Sequence, residues 1–204
     1  MEEKQREQEG KEKQVRKWKG KDWFVILAPE MYGKTVLSET PATDPKALIG
    51  RIIEISFAEL SGNPSKYYMK LMFRIEKVDG KQALTQFNGY AAARDYLFRV
   101  VRKRTQKIRV ISNLETKDKW KLQITALGVL NRNTETGVQK TVRAAMEALL
   151  KKTAEKLTLT EFLKIITEGS IQLSLKKRGT KIYPVRFAEI EKLEVVTPGL
   201  PTKA

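Results

Sequence analysis

The sequence contains neither cysteine nor histidine. Their absence excludes a disulfide framework, a zinc site built on thiolates or imidazoles, and any nucleophilic mechanism whose base is histidine. No apolar run approaches the roughly 18 residues that a membrane span requires. The first residues alternate in charge and have no apolar stretch, which argues against a secretory signal. We therefore expect a soluble, globular protein that is not secreted.

Acidic residues are the minority among the charged side chains. The chain of 204 residues has 40 lysines and arginines against 24 acids, a net charge of +16 and an isoelectric point near 9.9. Such a charge is typical of a protein that binds phosphate groups, and a merely soluble basic protein is the alternative.

Catalytic patterns are also missing. Glu54, Glu59 and Glu76 fall at predicted exposed strand positions, and "GKT" at residues 33–35 lacks the glycine and the flanking elements of a phosphate loop. Asp95 stands among arginines, where an ion pair is its expected role. We expect no catalytic residue, no metal site, no cofactor and no enzymatic activity.

The N-terminal half of the sequence predicts strands. "DWFVILAPEMYG" begins as a strand, "SETPATDP" at residues 38–45 predicts a loop, and residues 50–60 alternate as a half-buried strand. The segment from residue 67 to 90 alternates on both sides of Asp79-Gly80, which predicts a hairpin with a type I′ turn.

Helical spacing first occurs in "AAARDYLFRVVRKR", where one stripe comprises Ala93, Leu97, Val100 and Val101. Two alternating segments joined by "TKDK" then predict a second hairpin, with one face formed by Ile108, Val110, Leu114, Trp120, Leu122, Ile124 and Ala126.

The last third of the chain predicts mainly helices. One helix is expected after Gly137, and Thr158 with Glu161 forms a capping-box pattern that begins the next. Residues 170–178 fit either a strand or a helix, and residues 183–196 predict a final strand.

Because the strands come mostly as hairpins, the predicted fold class is α+β. We expect a mainly antiparallel, barrel-like sheet flanked by amphipathic helices, with a basic disordered N-terminal tail. The predicted divisions are a charged tail at residues 1–18, a single RNA-binding domain at 19–197 and a short tail at 198–204.

Cations occur in several clusters. Residues 94–109 are the densest, with seven cations against Asp95, a net charge of +6. Separated patches of this kind suit folded RNA better than one groove of a duplex. The predicted RNA contacts are Lys11, Lys13, Arg16, Lys17, Trp18, Lys19, Lys21, Arg94, Arg99, Arg102, Lys103, Arg104, Lys107, Arg132, Lys140, Arg143, Lys176, Lys177, Arg178 and Lys181.

The N-terminal cations could equally belong to a solvated tail. Aromatic residues are further candidate RNA contacts, because each tryptophan could stack on a base. Trp18 lies between lysines and is expected to contact RNA, whereas core packing is favoured for Trp23 within "WFVIL". For Trp120, Tyr67 and Tyr68, the sequence does not decide between base stacking and packing within the protein.

Five segments in order carry a resemblance to a known family: "WFVILAPEMYG", "SETPATDPKALIGRIIEISFAEL", "RDYLFRVVRKRTQKIRVI", "TKDKWKLQITALGV" and "FLKIITEGSIQLSLKKRGTKIYPVRFAEIEKLEV". From about Trp18 to Val196 the chain resembles the archaeal and eukaryotic small-subunit ribosomal protein family S3Ae, eS1 in unified naming. It ends soon after the last predicted strand, without the extension expected of eukaryotic members, which favours an archaeal-type member.

The resemblance implies a cytoplasmic structural protein of the small ribosomal subunit that binds small-subunit rRNA on the platform. Its implied partners are that rRNA, neighbouring small-subunit proteins and messenger RNA near its exit channel. By the match of "RDYLFRVVRKRTQKI", the leading RNA contacts are Arg94, Arg99, Arg102, Lys103 and Arg104, followed by Lys107. The alternatives are a translation factor or RNA chaperone that only visits the ribosome and, less favoured, a metal-dependent nucleic-acid enzyme.

Overall fold

The computed structural model describes residues 20–198, which form eight strands and five α-helices. The strands are β1 (Asp22–Leu27), β2 (Val36–Ala42), β3 (Ile52–Ser56), β4 (Met69–Asp79), β5 (Gln82–Ala92), β6 (Gln106–Glu115), β7 (Lys121–Leu130) and β8 (Val185–Thr197). The helices are α1 (Phe57–Ser61), α2 (Arg94–Val100), α3 (Thr136–Ala154), α4 (Leu159–Glu168) and α5 (Ser170–Thr180). Short 3-10 turns occupy Glu30–Tyr32, Pro45–Leu48 and Pro64–Lys66.

The strands hydrogen-bond in the order β2-β1-β5-β8-β7-β6, while β4 pairs with β5 and β3 pairs with β4. The β1–β5 pair is parallel, and β1–β2, β5–β8, β6–β7 and β7–β8 are antiparallel. The predicted α+β class and mostly antiparallel pairing are confirmed. The barrel-like form was wrong: the sheet is open, because within the described residues β6 pairs only with β7 and β2 only with β1.

The chain divides into two compact units, which within the described residues comprise 20–53 with 73–87, and 54–72 with 88–198. The core of the first unit consists of Phe24, Ile26, Ala42, Leu48, Ile75 and Ala83. The predicted separation of tails at residues 1–18 and 198–204 from a single domain at 19–197 stays a prediction.

Two segments of the first half differ from their predictions. Residues 38–42 belong to β2 instead of a loop, and Pro41 is tolerated there because β2 lies at the end of the strand order. The strand predicted for 50–60 ends early, because the Ser56 hydroxyl accepts a hydrogen bond from Ala58 N–H at 3.3 Å and caps α1.

The hairpin of β4 and β5 is confirmed, but its turn type was wrong. Gly80 has a φ of 57°, whereas Asp79 still belongs to β4 and does not have a positive φ. A type I′ turn at Asp79-Gly80 would require positive φ at both residues.

The second hairpin, formed by β6 and β7, is confirmed from Gln106↔Leu130 to Glu115↔Lys121. The predicted apolar face is buried throughout and comprises Ile108, Val110, Leu114, Trp120, Leu122, Ile124 and Ala126. Helix α3 packs against β6, and α5 packs against β8.

The C-terminal helices follow the sequence closely. In the confirmed capping box of α4, Thr158 Oγ1 accepts from Glu161 N–H at 3.4 Å, and Glu161 Oε2 accepts from Thr158 N–H at 3.0 Å. Residues 170–178, left open between strand and helix, lie in α5, with Ile171 and Leu175 buried and Leu173 exposed. The final strand is confirmed as β8.

Candidate nucleic-acid interface

The densest cationic segment forms a corner between α2 and β6. Residues 94–107 are called the arginine corner from here on. Helix α2 ends at Val100, and the chain turns because Thr105 N–H and its hydroxyl both donate to the Arg102 carbonyl, at 3.3 and 2.5 Å. Arg104 has a φ of 66°, the left-handed conformation that such a tight turn requires. The predicted helix therefore ends before "RKR".

Apolar packing fixes this corner on the second unit. Leu97 is 7% exposed and belongs to a cluster with Ala92, Leu127 and Val129. Partly buried side chains pack against this cluster, namely Tyr96, Val100, Val101 and Phe187. The predicted stripe of α2 is thus confirmed at Leu97, Val100 and Val101. Consequently, the corner is part of the packed domain and presents its cations from a fixed backbone.

The six cations predicted as leading contacts are all exposed: Arg94, Arg99, Arg102, Lys103, Arg104 and Lys107. Within residues 20–198 none of them lies at ion-pair distance from a carboxylate. Arg99 instead donates a hydrogen bond to the Tyr67 hydroxyl at 3.3 Å. The predicted ion pair of Asp95 was wrong, because its carboxylate has no cationic partner in the described part of the chain. The corner therefore has positive charge free to bind external anions.

Other predicted contacts lie on separate elements and are also exposed. Lys140 and Arg143 lie on α3, and Arg132 precedes that helix. The cations at the end of α5 are Lys176, Lys177, Arg178 and the following Lys181. Lys21 precedes β1. The remaining predicted contacts lie outside the described residues: Lys11, Lys13, Arg16, Lys17, Trp18 and Lys19.

Two tryptophans differ from their predicted surroundings. Trp23 was expected in the core but is 61% exposed, because Phe24 and Ile26 occupy the core positions of β1 and neighbouring strand residues alternate between faces. Trp120 is 4% exposed, so base stacking by its indole was a wrong alternative. Of the open tyrosines, Tyr68 stacks on Tyr96 at 3.9 Å between ring centroids, while Tyr67 is exposed.

A buried carboxylate that the sequence did not single out lies beneath α2. Glu189 Oε1 accepts from Gln172 Nε2 at 2.9 Å and from Ile190 N–H at 3.2 Å, while the Tyr96 hydroxyl donates to Oε2 at 3.5 Å. Burial raises the pKa of the Glu189 carboxyl, and burial together with Glu189 raises the pKa of Tyr96. The network links α2 to α5 and β8, which indicates a structural role.

Other kinds of site are not found among residues 20–198. No group of acidic side chains there could hold a metal ion, and no helix is long and apolar enough to cross a membrane. Unpaired arginines and lysines exposed on a packed corner of an α+β fold are typical of basic nucleic-acid-binding proteins.

Residues 9–198 match the family model described as the Ribosomal S3Ae family, and the chain belongs to that family. A relative from Methanopyrus kandleri is 37% identical over 191 residues, covering 91% of this chain and 90% of the relative. Relatives from Desulfurococcus amylolyticus and Aeropyrum pernix are 36% and 34% identical, covering 88% and 92% of this chain and 84% and 91% of their own lengths.

All three relatives are named small ribosomal subunit protein eS1 and come from archaea. The predicted family and its archaeal type are therefore confirmed. The prediction that the chain is not an enzyme is also confirmed, because this family of ribosomal proteins is non-enzymatic.

Proposed function

We propose that this chain is a structural constituent of the small ribosomal subunit and that it binds small-subunit rRNA on the platform near the messenger RNA exit. Family membership and the name shared by its relatives support this role. Its partners are small-subunit rRNA, neighbouring small-subunit proteins and messenger RNA near the exit channel. Its location is the cytoplasm, within the ribosome.

The observation that carries the RNA-binding proposal is the exposed, unpaired charge of the arginine corner. Arginines there bind phosphates through two parallel N–H groups, and lysines act as point charges. Because α2 packs through Leu97 onto a buried cluster, the helix backbone that carries Arg94 and Arg99 needs little further ordering when RNA binds. The predicted cations of α3 and α5 add phosphate contacts from the same unit.

Binding that depends on phosphate neutralisation must depend on salt. If roughly six to ten phosphates are contacted, affinity for rRNA falls by about three to five orders of magnitude between ~50 and ~200 mM salt. Filter binding of the purified chain to small-subunit rRNA at a series of salt concentrations measures this slope. An affinity that does not change with salt would contradict the electrostatic mechanism.

Residence on the subunit is tested separately by sedimentation. Ribosomes are washed at high salt and separated on a sucrose gradient, and the chain is quantified in each fraction. Stoichiometric retention with the small subunit is expected of a structural constituent. Recovery in the soluble fraction would instead identify a factor or chaperone that only visits the ribosome.

A further inference from the structure

An apolar groove of about 360 Å³ lies beside α2 within the second unit. Leu97, Phe98 and Val101 supply its apolar surface, and Arg94 and Lys107 also line it. Its volume is near the lower end of the ~300–1,000 Å³ found for small-molecule sites. The groove is therefore large enough for one planar group.

Phe98 is the unusual member of this groove. Its side chain is 72% exposed, although its neighbour Leu97 is buried in the core cluster. Within residues 20–198 no aromatic ring stacks on Phe98, and no cation lies over its ring. The fold therefore leaves an aromatic face in water, one helical turn from Arg94.

The charge at the groove is positive. Among the described residues that line it, the one acid is Glu191, which accepts two hydrogen bonds at 2.9 Å from Arg109 and is neutralised by it. Arg94 and Lys107 have no carboxylate partner in the described part of the chain. An anionic ligand with a flat apolar portion is complementary to this combination.

Unpaired nucleotides have this chemistry. Proteins bind single-stranded nucleic acid by stacking bases on aromatic side chains while cations follow the phosphates. Bases inside an A-form helix are already stacked and present no free face to a side chain. An apolar peptide would fill the groove, but it would not use the two unpaired cations.

We infer that Phe98 stacks on one unpaired nucleobase, while Arg94 and Lys107 bind the phosphates that flank it. The inference rests on the proposed rRNA-binding function and adds the form of RNA recognised, a single-stranded segment at the arginine corner. It assigns a role to an aromatic residue in addition to the cations.

The test uses the full chain and an octauridylate carrying one central 2-aminopurine. Stacking quenches the fluorescence of 2-aminopurine, and titration gives the dissociation constant at fixed salt. Phe98→Ala is expected to weaken binding roughly 5- to 150-fold, the range observed when a stacking residue is replaced. Phe98→Tyr retains the ring and is expected to bind with near wild-type affinity and quenching.

Two further variants make the result specific. Phe98→Leu keeps an apolar side chain but loses the ring, so it is expected to lose quenching and affinity. Val36→Ala truncates another exposed apolar side chain, 64% exposed in the first unit, and is expected to change nothing. Wild-type binding and quenching by Phe98→Leu would overturn the inference.

Separate outcomes concern the inference and the proposed function. If Phe98→Ala binds the probe normally while rRNA affinity stays dependent on salt and on the corner cations, stacking is overturned and rRNA binding stands. If rRNA affinity depends neither on salt nor on the corner cations, the proposed rRNA-binding function is contradicted. A third outcome concerns a protein partner. If the Phe98→Ala chain keeps normal rRNA affinity but the subunits assembled with it lack a neighbouring protein, the groove binds that protein and the inference is overturned.

Discussion

Arg109 on β6 and Glu191 on β8 form a two-point contact, in which Nε and one terminal nitrogen of the guanidinium each donate to a carboxylate oxygen at 2.9 Å. The contact passes over β7, which lies between these strands in the sheet. The charge of Arg109 is thereby neutralised by a carboxylate of the same chain. Arg102 and Arg104, a few residues earlier, have no such partner in the described residues.

This pairing predicts that Arg109 and Glu191 together contribute no net charge to RNA binding. The double variant Arg109→Ala/Glu191→Ala leaves the net charge unchanged and is expected to keep the wild-type salt slope in filter binding. Its free energy of unfolding should fall by about 0.2–1 kcal/mol, the usual contribution of a partly exposed ion pair. A salt slope that decreases by about one would show that Arg109 contacts a phosphate directly.

The combined replacement of Arg102, Lys103 and Arg104 by alanine has the opposite expectation. If each cation contacts one phosphate, the slope of log affinity against log salt should decrease by about two to three. Incorporation into the small subunit should also be impaired. Circular dichroism and thermal unfolding check that the domain remains folded, since an unfolded variant would indicate that these residues are structural.

A control of equal charge separates local contacts from net charge. Lys34, Lys70 and Lys151 lie 2.9, 3.7 and 2.8 Å from the carboxylates of Glu30, Glu54 and Glu147. Their combined replacement by alanine also removes three positive charges, but from sites that already have an acidic partner. We expect a smaller loss of rRNA affinity than for the corner variant. Equal losses would attribute binding to net charge alone.

Glu189 predicts a pH dependence of stability. Burial raises the pKa of its carboxyl above the ordinary 4.5, so above that pH the folded chain holds a proton that the unfolded chain has released. The free energy of unfolding therefore falls as the pH rises from 4.5 through the folded-state pKa. Glu189→Gln keeps the oxygen that accepts from Gln172 and cannot ionise. Its stability relative to wild type should thus increase across this window.

Urea unfolding of wild type and Glu189→Gln, below pH 4.5 and near neutrality, measures this difference. Within residues 20–198 no lysine or arginine pairs with Glu189. Its titratable neighbours are the hydroxyls of Tyr68, Tyr90 and Tyr96, whose pKa values are raised, chiefly by burial. Exposed Glu155→Gln controls for the loss of one charge. A difference that is constant with pH would contradict the expectation.

Gly89 on β5 predicts a steric effect on folding. A Cβ atom at this position would lie 2.6 Å from the carbonyl oxygen of Leu193 on the paired strand β8. Gly89→Ala therefore requires a backbone shift and is expected to destabilise the fold by about 1–3 kcal/mol in urea unfolding. Gly137→Ala is the matched control, because a Cβ there meets no described atom within 4 Å and α3 favours alanine. Equal stability of both variants would show that β5 and β8 separate easily.

Much of the fold follows from local patterns in the sequence. The β6–β7 hairpin, α3, the capping box of α4 and β8 were all predicted from alternation, helical spacing or a two-residue signal. The open form of the sheet was not predicted, because it depends on which strands meet at long range. In β5, residues 82–84 pair with β1 and residues 89–91 pair with β8, and no local pattern encodes such a change of partner.

The errors at single residues have a common physical origin. Within "WFVIL", five apolar residues in a row do not reveal which alternate set is buried, so Trp23 was assigned to the wrong face. Ser56 can continue a strand or cap a helix, and only the contact with Ala58 decides between them. Phe98 is not among the predicted RNA contacts, because it lies outside the apolar stripe of α2. An aromatic residue one helical turn after Arg94 was nevertheless a sequence signal for base stacking.

The left-handed backbone conformation of Arg104 has a consequence for engineering and for sequence change at this position. Its φ of 66° is a conformation that glycine adopts without steric strain, whereas a residue with a Cβ atom is disfavoured there by about 1–2 kcal/mol. Arg104→Gly should thus raise the melting temperature while removing a cation from the corner. Selection for thermal stability alone would therefore favour glycine at this position. Stability of the domain and affinity for RNA thus favour different residues here.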